Sequence, residues 1–194
     1  MADLITAQDV EDSLGATYSE RADVGRLITA ASALVEQHCN RVFAQEDVDE
    51  YLDGTGTDCL LVSRPPIASV DSISVDGTDL DNSEETAWNV EADGRAIYRG
   101  RGRVDPMFAC VWPRGRRNVR VQYTGGFAAT PEAVAQATVM LVRQMADGSA
   151  YSSILRRETI GDYSYELSSL AVESDELPGV VRALLDPYRL RTIR

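Results

Sequence analysis

Apolar positions along the chain follow a helical spacing, then an alternating one, then a helical one again. Val24, Leu27, Ile28, Ala31, Leu34, Val35 and His38 recur every three or four residues, the signature of one face of a helix that opens at Ser19. Small residues in "TAASA" let a second helix approach that face closely. Ahead of it, Thr6 and Asp9 have the spacing of a capping box for a short helix over "AQDVEDSL", which Gly15 stops. From Asp47 to Tyr123 the period becomes that of strands. "VDEYLDG" and "CLLVS" flank the Gly/Asp turn "DGTGTD" and predict a hairpin. "RPPI" sets an extended corner. "ASVDSISVDG" alternates Val70, Ile73 and Val75 and ends in the turn Asp76-Gly77, "AWNVEADGRAIYRG" gives a strand pair about Asp93-Gly94, and "NVRVQYTGG" alternates Val119, Val121 and Tyr123. About five to seven strands result, a small antiparallel sheet or barrel.

Thr130 and Pro131 then open a helix as N-cap and first turn, with Val134, Ala137, Thr138, Leu141, Val142 and Met145 as its apolar face and an end near Asp147-Gly148. Residues 149–176 show no helical period, yet Ile160, Tyr163, Tyr165 and Leu167 stand out in a polar stretch. A last short helix runs from Pro178 to Leu185, before an extended basic tail. The predicted class is α+β: a small helical bundle, residues 1–43 with 125–148, an inserted antiparallel β subdomain over 44–124, and a loop, short helix and C-terminal arm over 149–194.

Composition narrows the picture. The 194 residues are 44% hydrophobic, as in a globular fold. No apolar run approaches the ~20 residues of a membrane span. "MADLITAQDVEDSL" is acidic from its third residue, unlike a secretory leader, so a soluble protein made in a cytoplasm is expected. All nineteen basic residues are arginine, and the net charge is −12. Residues 1–94 hold twenty-one acids and four arginines, whereas 95–194 hold ten acids and fifteen arginines. Such a chain can satisfy its charges internally, or head to tail with another copy.

Candidate chemistry is sparse. Cys39, Cys59 and Cys110 are too few and too widely spaced for a disulfide framework or a zinc site. His38 follows the helical stripe, which assigns it to packing, and Cys39 beside it points elsewhere on the helix. "DGTGTDC" lacks the third glycine and the following helix of a dinucleotide site. Asp79, Asp81 and Ser83 imitate the start of a calcium loop, but Glu84 stands where glycine belongs and Val90 where glutamate belongs. The acids Asp47, Asp49, Glu50, Asp53 and Asp58 cluster without a partner group for acid–base work. No catalytic residues, metal or cofactor are expected. Residues 98–121 carry seven arginines and one aspartate, among them Arg99, Arg101, Arg103, Arg114, Arg116 and Arg117. This block can be a solvated hairpin rim, a sequence-independent phosphate contact, or a charged contact with the acidic half of a neighbouring copy.

Four stretches, in order, resemble the head–tail connector (adaptor) proteins of long-tailed bacteriophages and related gene-transfer particles: "RLITAASALVEQHCNRVF", "EYLDGTGTDCLLVSRPPIASVDSISVDG", "VRVQYTGGFAATPEAVAQATVMLVRQM" and "ETIGDYSYELSS". The resemblance covers nearly the whole chain. It implies a structural protein of the virion neck, assembled in the host cytoplasm, without enzyme activity. It implies a ring of about twelve copies beneath the portal protein, a channel for passing double-stranded DNA without sequence recognition, and a docking surface for a stopper or tail-completion protein, with no membrane partner. On this reading Ile160, Tyr163, Tyr165, Leu184, Tyr188, Leu190, Arg191 and Arg194 form a subunit or portal interface, and the six arginines above form a charged contact loop. The alternatives are a nucleic-acid-binding accessory protein that uses the arginine loop, and a neck stopper or tail-completion ring.

Overall fold

The computed structural model describes residues 2–82, 88–100, 110–151, 158–160, 163–165 and 177–190. The chain divides into two compact units, Met1–Arg41 with Thr130–Arg194, and Val42–Ala129.

The first unit is helical. Helix α1 (Ala7–Leu14) starts from the expected capping box: the Thr6 hydroxyl accepts from the Asp9 amide, and the Asp9 carboxylate accepts from the Thr6 amide at 2.6 Å. Gly15, at φ +90°, ends it. The next helix does not open at Ser19. A single turn, α2 (Ala16–Ser19), comes first, and α3 (Val24–Cys39) starts only after Asp23. The reason is local. Arg21 donates to both carboxylate oxygens of Asp23 at 3.0 and 3.1 Å, so that side chain makes no cap bond to the helix.

Ile28, Ala31, Ser32, Val35, Glu36 and Cys39 are the buried positions of α3. Leu34, expected on that face, is 38% exposed. The apolar stripe is therefore turned toward Cys39 relative to the prediction. Helix α4 (Glu132–Tyr151) packs on α3 and buries Val134, Ala137, Thr138, Val139, Leu141, Val142 and Ala146. It runs past Asp147-Gly148, where the sequence predicts its end. Its first turn is bonded through the Pro131 carbonyl, which accepts from the Val134 and Ala135 amides at 2.9 Å each. The Thr138 hydroxyl donates to the Val134 carbonyl at 2.8 Å, so this buried polar group is satisfied.

Residues expected to be loop contain further order: Glu158–Ile160 pairs antiparallel with Tyr163–Tyr165. Helix α5 (Gly179–Leu185) follows Pro178 and buries Val181 and Leu185. The chain from Leu185 to Leu190 is tied to the C-terminal end of α3. The Leu190 amide donates to the Cys39 carbonyl at 2.9 Å, and Arg41 Nη1 donates to the Tyr188 carbonyl at 3.4 Å.

The second unit is a pair of packed sheets. One has the order β1-β7-β3-β4, from β1 (Glu46–Gly54), β3 (Ile67–Val75), β4 (Thr78–Asp79) and β7 (Gly115–Gly125). The other has the order β2-β6-β5, from β2 (Cys59–Leu61), β5 (Trp88–Val90) and β6 (Ala96–Arg99). Leu60, Ile67, Ile73, Val75, Ile97, Trp112, Val119, Val121 and Tyr123 form one core drawn from both. Two predicted turns are present. Asp76 and Gly77, at φ +50° and +80°, close the β3–β4 hairpin, and the Asp93-Gly94 turn joins β5 to β6.

The hairpin predicted across "DGTGTD" is not present. β1 pairs with β7 and β2 pairs with β6. In β1 the inward residues Val48 and Leu52 stand opposite Tyr123 and Val119, so a long ladder to a distant strand replaces the local one. Gly54 marks where β1 leaves that ladder: a side chain there would collide with the Pro113 carbonyl. The uneven spacing of Val70 and Ile73 also has a cause, a register shift between Val70 and Ser72.

Candidate assembly surfaces

Strand alternation sends the acids of β1 and the arginines of β7 to the same outer sheet face. Asp47, Asp49 and Asp53 are exposed on β1. Arg120, opposite Tyr51 in the ladder, reaches Asp49 with both prongs of its fork, at 2.9 and 2.6 Å. That fork holds the Asp49 carboxyl below the usual carboxylate range and raises Arg120. Gln122 donates to the same carboxylate at 3.2 Å, and Thr124 donates to Asp47 at 2.9 Å. Asp53 accepts the Arg117 amide at 2.6 Å and so fixes that residue at φ +52°. Arg64 pairs with Glu46. The acid cluster noted in the sequence is thus largely employed in locking the sheet.

Glu50 points to the other side of β1. It accepts from the Ser63 amide at 3.0 Å and from the Tyr123 hydroxyl at 2.8 Å, while the Arg64 amide donates to that hydroxyl at 3.1 Å. Burial, followed by the bond to Glu50, pushes the Tyr123 phenol up.

The arginines expected to act together are distributed over distinct roles. Arg99, at the end of β6, lies 5.4 Å from the centre of the Trp112 ring. Arg117 and Arg120 each lie 5.7 Å from the ring of Tyr51, which is 50% exposed. Arg114, Arg116 and Arg117 are exposed around the start of β7. Arg101 and Arg103 fall outside the described residues. Arg120, the most fully paired arginine of the block among the described residues, is not one of the six that the sequence singles out. Its signal was available: Arg120, Gln122 and Thr124 alternate with the core residues of β7, as Asp47, Asp49 and Asp53 do in β1.

The charge split between the two halves of the sequence does not survive folding as two poles. Val42–Ala129 holds fifteen acids and nine arginines, and the rest of the chain sixteen and ten, so each unit carries −6. Interleaving of early and late strands is the cause.

At the C-terminal end, Leu184, Tyr188 and Leu190 are half-buried, and Val180 on α5 is 62% exposed. Ile160 stands opposite Tyr163 in the short hairpin, and Tyr165 opposite Glu158. Arg191 and Arg194 lie outside the described residues. His38 Nε2 sits 3.9 Å from an Asp186 oxygen, next to the α3–C-terminal contact.

Cys39 is buried and burial pushes its thiol up to about 11, while Cys59 and Cys110 are half-buried. Alkylation of the native protein near pH 8 is expected to label Cys59 and Cys110 at least about tenfold faster than Cys39, since the thiolate is the reactive form. Peptide mass spectrometry of a time course checks this. Equal rates at all three sites would show that the α3–α5 packing opens readily. Among the described residues no group of three or more His, Cys, Asp or Glu is placed to hold a metal ion, and no helix is long and apolar enough to cross a membrane. Ser83 of the calcium-like run lies outside the described residues.

A helical unit interrupted by a two-sheet unit, with its charged groups engaged in sheet locking and surface patches, has the equipment of a structural assembly protein. The head completion protein family matches residues 3–190, and the chain belongs to that family. No curated protein matches the chain. Among solved structures, a chain from the neck of a native gene transfer agent particle, computed with C12 symmetry, is 18% identical, with all of this chain and 94% of that one covered and a TM-score of 0.55. A chain from the neck of the empty particle, computed with C6 symmetry, is 19% identical, with 100% and 95% covered and a TM-score of 0.55. A third, from the native virion, is 18% identical over 98% and 92%, with a TM-score of 0.56. These likenesses concern the fold.

Proposed function

We propose that the protein forms the adaptor ring of the neck: about twelve copies seated under the portal protein, continuing the DNA channel and presenting a docking surface to a stopper or tail-completion protein. The family match over residues 3–190 carries this reading. The shared fold with neck chains from particles of C12 and C6 symmetry supports the ring. The net charge of −12 suits a channel that lets duplex DNA slide, because the wall repels phosphates instead of holding them. The C-terminal region, with Val180 exposed and Leu184, Tyr188 and Leu190 half-buried, is the surface for a neighbouring copy or the portal, together with Ile160, Tyr163, Tyr165, Arg191 and Arg194. The arginines at the start of β7 serve protein contacts, and the activity is assembly, without catalysis.

Deletion of the gene from a particle-producing host tests the role. DNA-filled heads without tails are expected by electron microscopy, and the protein expressed in trans should restore tails. Tailed particles formed at normal yield without the protein would sink the proposal.

A further inference from the structure

Among the described residues of the second unit, Arg114, Arg116 and Arg117 at the start of β7 form a group of cations without a carboxylate partner. All three are exposed. Among the described residues none of their guanidinium groups forms an ion pair, whereas Arg120, a few positions on, is neutralised by Asp49. The turn that carries them is held firmly. Asn118 accepts from the Gly54 amide and donates to the Pro113 carbonyl, and Asp53 binds the Arg117 amide. The stem of Arg114 lies against Gly56, and the Arg117 head lies beside Tyr51. A stiff turn presents its charges without a large ordering cost.

A complementary surface exists on the helical unit. Residues 2–20 contain Asp3, Asp9, Glu11, Asp12 and Glu20 and no arginine. All five acids are exposed, and among the described residues none forms an ion pair. Asp9 is used in the capping box, while Glu11 and Asp12 accept only neutral donors, Ser19 and Gln8.

We infer that the Arg114–Arg116–Arg117 turn of one copy docks on the acidic α1 surface of the next copy. This rests on the ring reading and names the contact that would close the ring. A ring built head to tail needs two different patches on every subunit, each fitting the other. The turn supplies uncompensated cations and α1 supplies uncompensated carboxylates. Arginine forks suit carboxylates geometrically. Duplex DNA is the competing occupant, but it would have to approach a unit of net charge −6 in a protein of −12. Single rim pairs contribute little, yet the same contact recurs at every interface of a closed ring.

Charge reversal and rescue test the inference, with each variant supplied to a host lacking the gene. R116E/R117E is expected to lower the yield of tailed particles by at least about tenfold, through like-charge juxtaposition. E11R/D12R, which leaves the capping box intact, should do the same. The four substitutions combined should return the yield to within about threefold of the unaltered protein, because both signs are exchanged. Thermal melts of the purified variants verify folding. Should a reversed variant fail to fold, the neutral pair R116Q/R117Q and E11Q/D12Q replaces it: losses that do not add in the combination support the contact, and additive losses overturn it. Unchanged yield with R116E/R117E, or a defect the four-fold variant does not relieve, overturns it too. Low-salt binding to duplex DNA that R116E/R117E abolishes would assign the turn to nucleic acid and also overturn it. Imaging of the unaltered neck separates the two levels: a neck without a ring of this protein sinks the proposed function, whereas a ring with no rescue sinks only this contact.

Discussion

Replacing Trp112 with alanine is expected to cost about 3–5 kcal/mol, a large share of the stability of a unit this size. Trp112 is fully buried and lies outside both sheets, in the segment that leads into β7. Its indole nitrogen donates to the Ile97 carbonyl of β6 at 3.2 Å. Its backbone amide donates to the Thr57 carbonyl at 2.8 Å, and its carbonyl accepts from Gly56 at 2.9 Å. One residue thus fills the space between the sheets and ties the approach to β7 to the approach to β2. Truncation leaves a cavity and removes the indole bond together. Urea denaturation followed by circular dichroism gives the loss. Trp88→Ala is the control, because Trp88 packs at the margin of the same core and is only half-buried. A loss for Trp112→Ala no larger than for Trp88→Ala would contradict the proposed centre of the core.

Leu185→Asp should be comparably damaging to the helical unit, with a loss of at least about 3 kcal/mol from missing packing and a buried unpaired charge. Leu185 is fully buried, and its carbonyl accepts from the Cys39 thiol at 3.9 Å. Together with Val181 it anchors α5 to α3 and α4. Once the anchor fails, the bonds from Leu190 to Cys39 and from Arg41 to Tyr188 lose the packing that supports them. The predicted readouts are a lower melting temperature and faster proteolytic removal of the C-terminal segment. Val180→Asp, one residue from Val181 but 62% exposed, should change stability by no more than about 0.5 kcal/mol. Equal effects at 180 and 185 would mean that α5 is not seated as described.

Features fixed by neighbours in sequence could be read before the structure. The Thr6–Asp9 box, the Asp76-Gly77 turn and the β5–β6 pair each depend on a few adjacent residues. Features decided at a distance could not. β1 and β2 flank an ideal turn composition, yet β1 finds more ladder and more core opposite β7. The end of α4 was misplaced because Asp147 and Gly148 are poor but tolerable helix residues, and the helix continues through them to Tyr151. Leu34 and Cys39 exchanged places because a stripe read at three-and-four spacing leaves its rotation uncertain by about one position. For the candidate surfaces, charge counting found the arginine block but could not divide it. Arg120 was separable from Arg114, Arg116 and Arg117 only when the β1–β7 register set it beside Asp49.

The two ends of the inserted unit are joined to each other. The Phe127 amide donates to the Phe43 carbonyl at 2.9 Å, the two rings stack with centroids 5.9 Å apart, and Ala44 forms an isolated bridge with Phe127. Entry and exit are therefore held by the insert itself. Such a cassette can lengthen, shorten or be exchanged over evolution while its host reads the same short gap between one helix and the next, so descendants can vary the size of the insert without redesigning the bundle that carries it.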